Sequence, residues 1–364
     1  MMTTSSKIYV AGHQGLVGSA LVRTLSSNGY NNLVVRSFHE LDLRNQQQVT
    51  KFFDEQRPEY VFLAAAKVGG IGANSTYKAE FIYDNMMIAA HVIHASYCYG
   101  VKKLINFGSS CIYPRLAPQP LKEEYLLSGP FEPTNEPYAI AKIAALKLCR
   151  YYNEQYGTNF ISLMPTNLYG PYDNFNLETA HVLPALIRKF HLAKLLMQGD
   201  HDAVREDFKR YPVGYGITAV DLLDPARITS ILERCGIADG AVTLWGSGTP
   251  CREFLHVDDV ARAAVILAEH YDYCDVGECI NVGTGTDCAI CELADLIKQI
   301  IGFNGRIVYG TKVLDGMPRK CLNISKIEAL NWKPSITLAD GLKNVYSWYV
   351  HACPDEESCH HATL

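Results

Sequence analysis

The chain has no long uninterrupted apolar run, no cluster of lysines and arginines, no internal repeat and no low-complexity linker. Each absence closes a class of function. Without about 20 consecutive apolar residues there is no candidate transmembrane helix, so no membrane partner is expected. A formal net charge of −5 with no local basic run argues against an extended nucleic-acid surface. Met1 to Ser6 are polar and lack the pattern of a secretory leader, so a soluble, cytoplasmic protein is expected. Cysteine is not scarce, with 12 in 364 residues, but the paired CxxC spacing of a zinc ribbon is missing. Cys288 and Cys291 give one such spacing without a second pair. Cys359, His360 and His361 fall in a polar tail, where a metal would be trapped only adventitiously. No functional metal site is expected. The length allows one large domain or two moderate ones.

What is present is a strand, a glycine-rich turn and a helix, in that order. Lys7 to Ala11 reads as an apolar strand. Gly12, His13, Gln14, Gly15, Leu16, Val17 and Gly18 form the turn, and Ser19 to Leu25 is helical in pattern. Gly12 allows the tight bend, Gly15 lets backbone approach a pyrophosphate, and Gly18 lets helix and strand pack closely. The second strand, Leu33 to Arg36, ends in a cation where NAD-binding sheets usually place a carboxylate. Arg36 therefore points to the 2′-phosphate of NADP(H), or else to a solvated surface arginine. Glu40 comes late for the ribose, and Asp42 suits the adenine side.

Alternation continues with a helix over Val49 to Glu55, a buried strand over Tyr60 to Ala66, and a loop with Gly69, Gly70 and Gly72. A helix over Ile82 to Tyr99 and a strand over Lys103 to Phe107 follow. The strand ends in Gly108, Ser109, Ser110 and Cys111, placing hydroxyls and a thiol where open α/β sheets bind ligands. After a proline-rich excursion, Pro114 to Pro137, comes a helix carrying Tyr138 and Lys142, one turn apart on one face. A cation beside a phenol favours the phenolate, so the Tyr138 pKa is expected to fall and the pair to serve proton transfer to a carbonyl oxygen. Taken alone, the pair also fits a half-buried tyrosine and a solvated lysine.

Phe160 to Met164 is the next strand, and then the alternation breaks. His181 to Leu196 is helical, and 198–240 is unusually polar with one helix over Pro225 to Cys235. Strands at Val242 to Trp245, Cys279 to Val282 and Ile307 to Tyr309 are interleaved with helices over the second half of Glu253 to Glu269, Leu293 to Ile301 and Leu338 to Val350. The expected fold is α/β: a Rossmann-type doubly wound parallel sheet with a smaller, interleaved C-terminal substrate domain. The expected division is a cofactor domain over 6–175 with returning segments about 253–283. The substrate domain takes 176–252 and 284–352, including the polar insertion 198–240, and 353–364 is a tail.

These motifs resemble the extended short-chain dehydrogenase/reductases, whose glycine turn, strand-end serine and Tyr-x-x-x-Lys stand here as Gly12, Gly15, Gly18, Ser109, Tyr138 and Lys142. The resemblance is closer still to the GDP-L-fucose synthase family and covers nearly the whole chain. It is carried by Ala64-Ala65-Ala66-Lys67-Val68-Gly69-Gly70-Ile71, Gly108-Ser109-Ser110-Cys111-Ile112-Tyr113-Pro114 and Asn135-Glu136-Pro137-Tyr138-Ala139-Ile140-Ala141-Lys142. Pro165-Thr166-Asn167-Leu168-Tyr169-Gly170-Pro171, His181-Val182-Leu183-Pro184-Ala185-Leu186 and Trp245-Gly246-Ser247-Gly248-Thr249-Pro250 complete it.

The resemblance implies NADPH-dependent conversion of GDP-4-keto-6-deoxy-D-mannose to GDP-L-fucose by C3/C5 epimerisation and C4 reduction. It implies that Ser109 bonds the C4 carbonyl or the Tyr138 hydroxyl, Tyr138 gives the proton, and Lys142 lowers its pKa and holds the nicotinamide ribose. Cys111 would be the epimerisation base and His181 the acid. The cofactor site would take residues 12–18 with Arg36, Asp42, Ala64, Phe107, Gly108, Ser109, Ser110, Lys142, Pro165, Thr166, Asn167, Leu168 and His181. The GDP-sugar would meet Asn167, Val182, Leu186, Lys189, Trp245, Arg252, Asp315 and Lys320. A homodimer is also implied.

Three departures from the family stand out. Gln14 and Phe38 replace arginines that members often carry, so NADPH is expected to be preferred only modestly over NADH. Lys189 stands where Arg can occur, which keeps charge but not bidentate geometry. The 198–240 insertion is expected to be a passive surface elaboration rather than a lid or an oligomer contact. A reductase or epimerase of a related GDP-4-keto sugar is the neighbouring reading, and a silent NADPH-binding scaffold the distant one.

Overall fold

A computed structural model describes residues 1–217, 225–238, 240–310 and 316–351. The glycine-turn unit forms as expected: β1 (Ile8–Ala11), then α1 (Leu16–Ser27), then β2 (Leu33–Val34). Next come α2 (Gln46–Gln56), β3 (Tyr60–Leu63), α3 (Ile71–Thr76), α4 (Lys78–Cys98), β4 (Lys103–Phe107), α5 (Glu136–Tyr156) and β5 (Phe160–Pro165). With β11 (Ile280–Val282) these strands make a six-stranded sheet in the order β11-β5-β4-β3-β1-β2. All its pairings are parallel. β2 and β3 lie on opposite sides of β1, so the loops after β1 and β3 part there and leave a crevice at the carboxyl edge.

Helices cover both faces, which is why these strands are near-continuous apolar runs. Ala20, Leu21 and Leu25 of α1 pack with Val260, Ala264 and Leu267 of α9 (Val257–His270) on one face. Phe52, Phe53, Val92, Ile93, Ala145 and Cys149 of α2, α4 and α5 fill the other.

A second core lies beyond the sheet. It is built from β6 (Asn167–Tyr169), α6 (Val182–Met197), α7 (His201–Arg210), α8 (Pro225–Arg234), β7 (Ile237–Ala238) and β8 (Ala241–Trp245). α11 (Ile290–Ile301), β13 (Arg306–Gly310) and α13 (Leu338–His351) close it. β13 runs parallel to β8 and β7 antiparallel to it. A small sheet joins the two cores: β9 (Cys251–Arg252) pairs antiparallel with β12 (Cys288–Ala289) and parallel with β14 (Arg319–Lys320). β10 (Phe254–His256) pairs parallel with β6.

The expected strands at Leu33 to Arg36 and Tyr60 to Ala66 are shorter, ending at Val34 and Leu63. The insertion is not passive. Val204 and Phe208 of α7 and Ile228 and Leu232 of α8 are buried in the second core. The fully buried Arg188 of α6 pairs with Asp207 of α7 at 2.9 Å and donates to the carbonyls of Phe175, Tyr211 and Pro212. Tyr349 of α13 donates to the same carboxylate. Among the described residues no helix is long and apolar enough to cross a membrane, and no group of three His, Cys, Asp or Glu side chains is placed for a metal. Cys359, His360 and His361 lie outside the described residues.

Candidate active site

The end of β4 builds the centre. Gly108 turns beneath Met164, where a side chain would collide with the thioether. Ser109 then caps a single tight helical turn, Ser110–Ile112, its Oγ accepting from the Cys111 N–H at 3.2 Å. The turn brings the Ser109 hydroxyl and the Cys111 thiol to one side of the crevice. α5 brings Tyr138 and Lys142 to the same place. The Ser109 hydroxyl lies close to the Tyr138 hydroxyl. The Lys142 Nζ donates to the Phe107 carbonyl at 2.7 Å and stands 5.7 Å from the Tyr138 ring centroid.

The electrostatics depart from the expectation for Tyr138. Burial raises its phenol well above the ordinary value, the nearby Cys111 adds to the rise, and the neighbouring Ser109 hydroxyl opposes it. The Lys142 ammonium is engaged with a carbonyl and lies over the Tyr138 ring rather than bonding the phenol oxygen. Burial also lowers Lys142 itself, to about 8.

Opposite stands Lys320 of β14, buried, with Nζ 3.3 Å from the Cys111 Sγ. Burial pushes the thiol up. The charges of Lys320 and Arg252 and the Ser109 and Lys320 hydrogen bonds together outweigh it, so Cys111 titrates below the ordinary thiol. His181 precedes α6 as its N-cap and is exposed at the mouth. The surrounding protein and then Lys320 still pull its imidazole down.

The turn after β1 fits a pyrophosphate. Gly15 caps α1 with no side-chain bond and no acid in the first turn, leaving helix N–H groups for a ligand. A side chain at Gly18 would strike the Gly12 carbonyl, and one at Gly12 would lie 2.8 Å from the Ala65 backbone. Ala64 donates its N–H to Ala11 at 3.1 Å, closing the switch point. Arg36 donates to the Val35 carbonyl and lies over the Phe52 ring. Asp42 grips Arg44 at 3.0 Å, and Arg44 lies under the exposed Phe38 ring. Thr166 and Asn167 both donate to the Glu253 carbonyl, Asn167 at 2.8 Å. Leu168 packs against the sheet core.

The expected substrate residues divide. Trp245 is 61 % exposed, not core, and Lys189 reaches its ring at 5.8 Å while donating to the Thr243 carbonyl. Val182 is exposed at the first turn of α6, but Leu186 is buried in the second core. Arg252 pairs in register with Lys320 across β9 and β14. Asp315 lies outside the described residues. One carboxyl was not foreseen. Asp173 follows the segment that crosses α1 at Leu16, its Oδ1 accepts from the Asn174 N–H at 2.7 Å, and burial raises it to about 7.

The glycine turn, the strand-end serine and the Tyr138–Lys142 helix fall within one sequence pattern, that of the NAD dependent epimerase/dehydratase family, which matches residues 8–207 and 210–283. GDP-L-fucose synthase 1 of Arabidopsis thaliana is 47% identical over 352 residues, 96% of this chain and 95% of that one. The chain belongs to the NAD dependent epimerase/dehydratase family, among the GDP-L-fucose synthases. GDP-L-fucose synthase of Escherichia coli (strain K12) is 45% identical over 353 residues, 95% of this chain and 97% of that one. A GDP-D-glycero-L-gluco-heptose synthase from Campylobacter jejuni, solved in the presence of NADPH, is 45% identical with a TM-score of 0.87 over 96% of this chain and 99% of that one. Within this epimerase/dehydratase frame, sequence reasoning placed Lys320 on the substrate and missed its contact with Cys111. Its strand is two residues long and carries no readable period.

Proposed function

We propose that the chain converts GDP-4-keto-6-deoxy-D-mannose to GDP-L-fucose, epimerising C3 and C5 and reducing C4 with NADP(H). The observation that carries this is the convergence of two chemistries at one strand end: Ser109, Tyr138 and Lys142 for a carbonyl, and Cys111 with His181 nearby for carbon acids. A C4 ketone acidifies the hydrogens on C3 and C5, because each carbanion is an enolate. Cys111 takes those protons, Ser109 and Tyr138 hold the enolate oxygen, and His181 returns a proton to the opposite face. Bound NADPH supplies the hydride to C4. Tyr138 then gives its proton to the C4 oxygen, and its raised pKa keeps it a phenol until that oxygen becomes an alkoxide. Lys142 holds the nicotinamide ribose. The α1 N-terminus takes the pyrophosphate and Arg36 the 2′-phosphate. Trp245, Lys189, Arg252 and Asn167 line the GDP-sugar side. The cofactor unit is 6–175 with about 253–283, and the substrate unit is 176–252 with 284–352.

The ten cysteines of the described residues are all free, which suits a reducing cytoplasm. Tyr83 on α4 and Tyr151 and Tyr156 on α5 are exposed large aromatics on neighbouring helices, which favours a homodimer through that face. Sedimentation velocity tests it.

NADPH oxidation with GDP-4-keto-6-deoxy-D-mannose, with the product identified by mass spectrometry and NMR, tests the function. The similarity to the heptose synthase favours one second reading, a related GDP-4-keto heptose as substrate. Faster turnover of that sugar in the same assay would decide for it.

A further inference from the structure

Cys111 and Lys320 are 209 residues apart, yet Nζ and Sγ meet at 3.3 Å with Lys320 only 8 % exposed. Among the described residues no carboxylate lies within ion-pair distance of this ammonium. Burying an ammonium without an anion is costly. The group it faces can become one.

The strand that carries Lys320 is fixed from several sides. Its partner strand donates the Cys251 N–H to the Pro318 carbonyl at 2.8 Å. The Cys321 N–H donates to Gln119 at 3.0 Å, and the Leu121 N–H to the Cys321 carbonyl at 2.7 Å. The buried Glu253 carboxylate accepts from the N–H groups of Leu322 and Gly285, each at 2.8 Å, and of Thr284. Lys320 is therefore held in place before any ligand arrives, as electrostatic stabilisation requires.

The surroundings of the thiol are cationic or neutral. Ser109 lies on its own turn, Tyr138 and Lys142 on α5, Arg252 on β9, Lys320 on β14, and His181 at the start of α6 beyond Lys320. We propose that Lys320 holds Cys111 as a thiolate in the free enzyme, so that the epimerisation base is a preformed ion pair. This rests on the reading of Cys111 as that base.

The step balances. The sulfur lone pair takes the C3 or C5 proton and forms S–H, and the C–H pair moves into the enolate with its charge on the C4 oxygen. Lys320, its thiolate gone, remains as a cation close to that enolate. The His181 N–H reprotonates the carbon from the other face, and exchange with water returns the thiol to thiolate and the imidazole to its protonated form.

The test follows alkylation of Cys111 by iodoacetamide across a pH series, on the full-length enzyme without substrate, with the labelled peptide read by mass spectrometry. Lys320→Met should raise the midpoint by about one to three pH units, and Lys320→Arg should restore most of it. An unchanged midpoint in Lys320→Met overturns the proposal. If that variant does not fold, the ultraviolet thiolate absorbance of wild type minus Cys111→Ser decides. A midpoint below the ordinary thiol value supports the ion pair, and one at or above it refutes it. Solvent deuterium entry at C3 and C5 separates the two claims. A shifted midpoint with slowed exchange supports both. A shifted midpoint with exchange at wild-type rate keeps the ion pair and overturns Cys111 as base.

Discussion

The reductive and epimerising halves of the site are built in contrasting ways. Ser109, Tyr138 and Lys142 come from one strand end and the helix that follows it, and the bond from Lys142 to the Phe107 carbonyl stays within that unit. Cys111, His181, Arg252 and Lys320 come from four separate segments and meet only because β9, β14 and α6 are docked on the sheet. The first half depends on local geometry, the second on tertiary assembly. Damage far from the site should therefore injure epimerisation before reduction.

The sharpest way to separate the halves is Tyr138→Phe. Removing the proton donor should cost reduction about a hundred- to ten-thousand-fold and slow deuterium entry at C3 and C5 much less, because the enolate oxygen loses Tyr138 but keeps Ser109. Single-turnover NADPH oxidation and NMR of the recovered sugar would show it. Loss of both activities together would break the comparison.

Asp207→Ala attacks the assembled half from a distance. It strands the buried Arg188 and removes the acceptor of Tyr349, so urea unfolding should show a loss of about 3–5 kcal/mol. In the protein that remains folded, exchange should fall more than reduction, because α6 carries His181 at its start.

Gln14→Arg should sharpen the local half alone, widening the kcat/KM preference for NADPH over NADH by up to about tenfold. A clear NADH preference in the unaltered enzyme would contradict the role given to Arg36.

The smallest effect concerns Asp173. Its folded pKa of about 7 lies above the ordinary carboxyl value, so the folded state binds the extra proton. Its contribution favours folding below the ordinary value and is lost as pH rises towards about 7. Asp173→Asn should therefore raise Tm at neutral pH, and the difference should shrink steadily as pH falls and be gone only near the ordinary carboxyl value. A constant difference across that range would mean the carboxyl is not what titrates.

The sheet and the reductive half were readable because each is a pattern with a period: alternating buried strands and helices, glycines at fixed offsets, and a tyrosine and lysine one helical turn apart. β6, β9, β12 and β14 are two or three residues long and left no pattern, so the Lys320 contact was invisible. The fall expected for Tyr138 failed because spacing fixes which face a side chain occupies but not which atom it addresses. α7 left only a faint trace in the sequence. Asp200 caps it through Ala203 at 3.0 Å, and Val204 and Phe208 mark its buried face. High charge elsewhere in the segment hid that stripe.

The Arg188 junction makes the inserted region a poor unit for exchange. One guanidinium binds α6 to the carboxylate of α7 and to carbonyls before and within the insertion, and α13 closes on the same carboxylate. A chimera that trims the insertion while keeping the arginine would leave its charge stranded in the core. A graft from a relative would have to carry the arginine, its aspartate and the closing tyrosine together, so the piece that can be swapped is larger than the piece that was added.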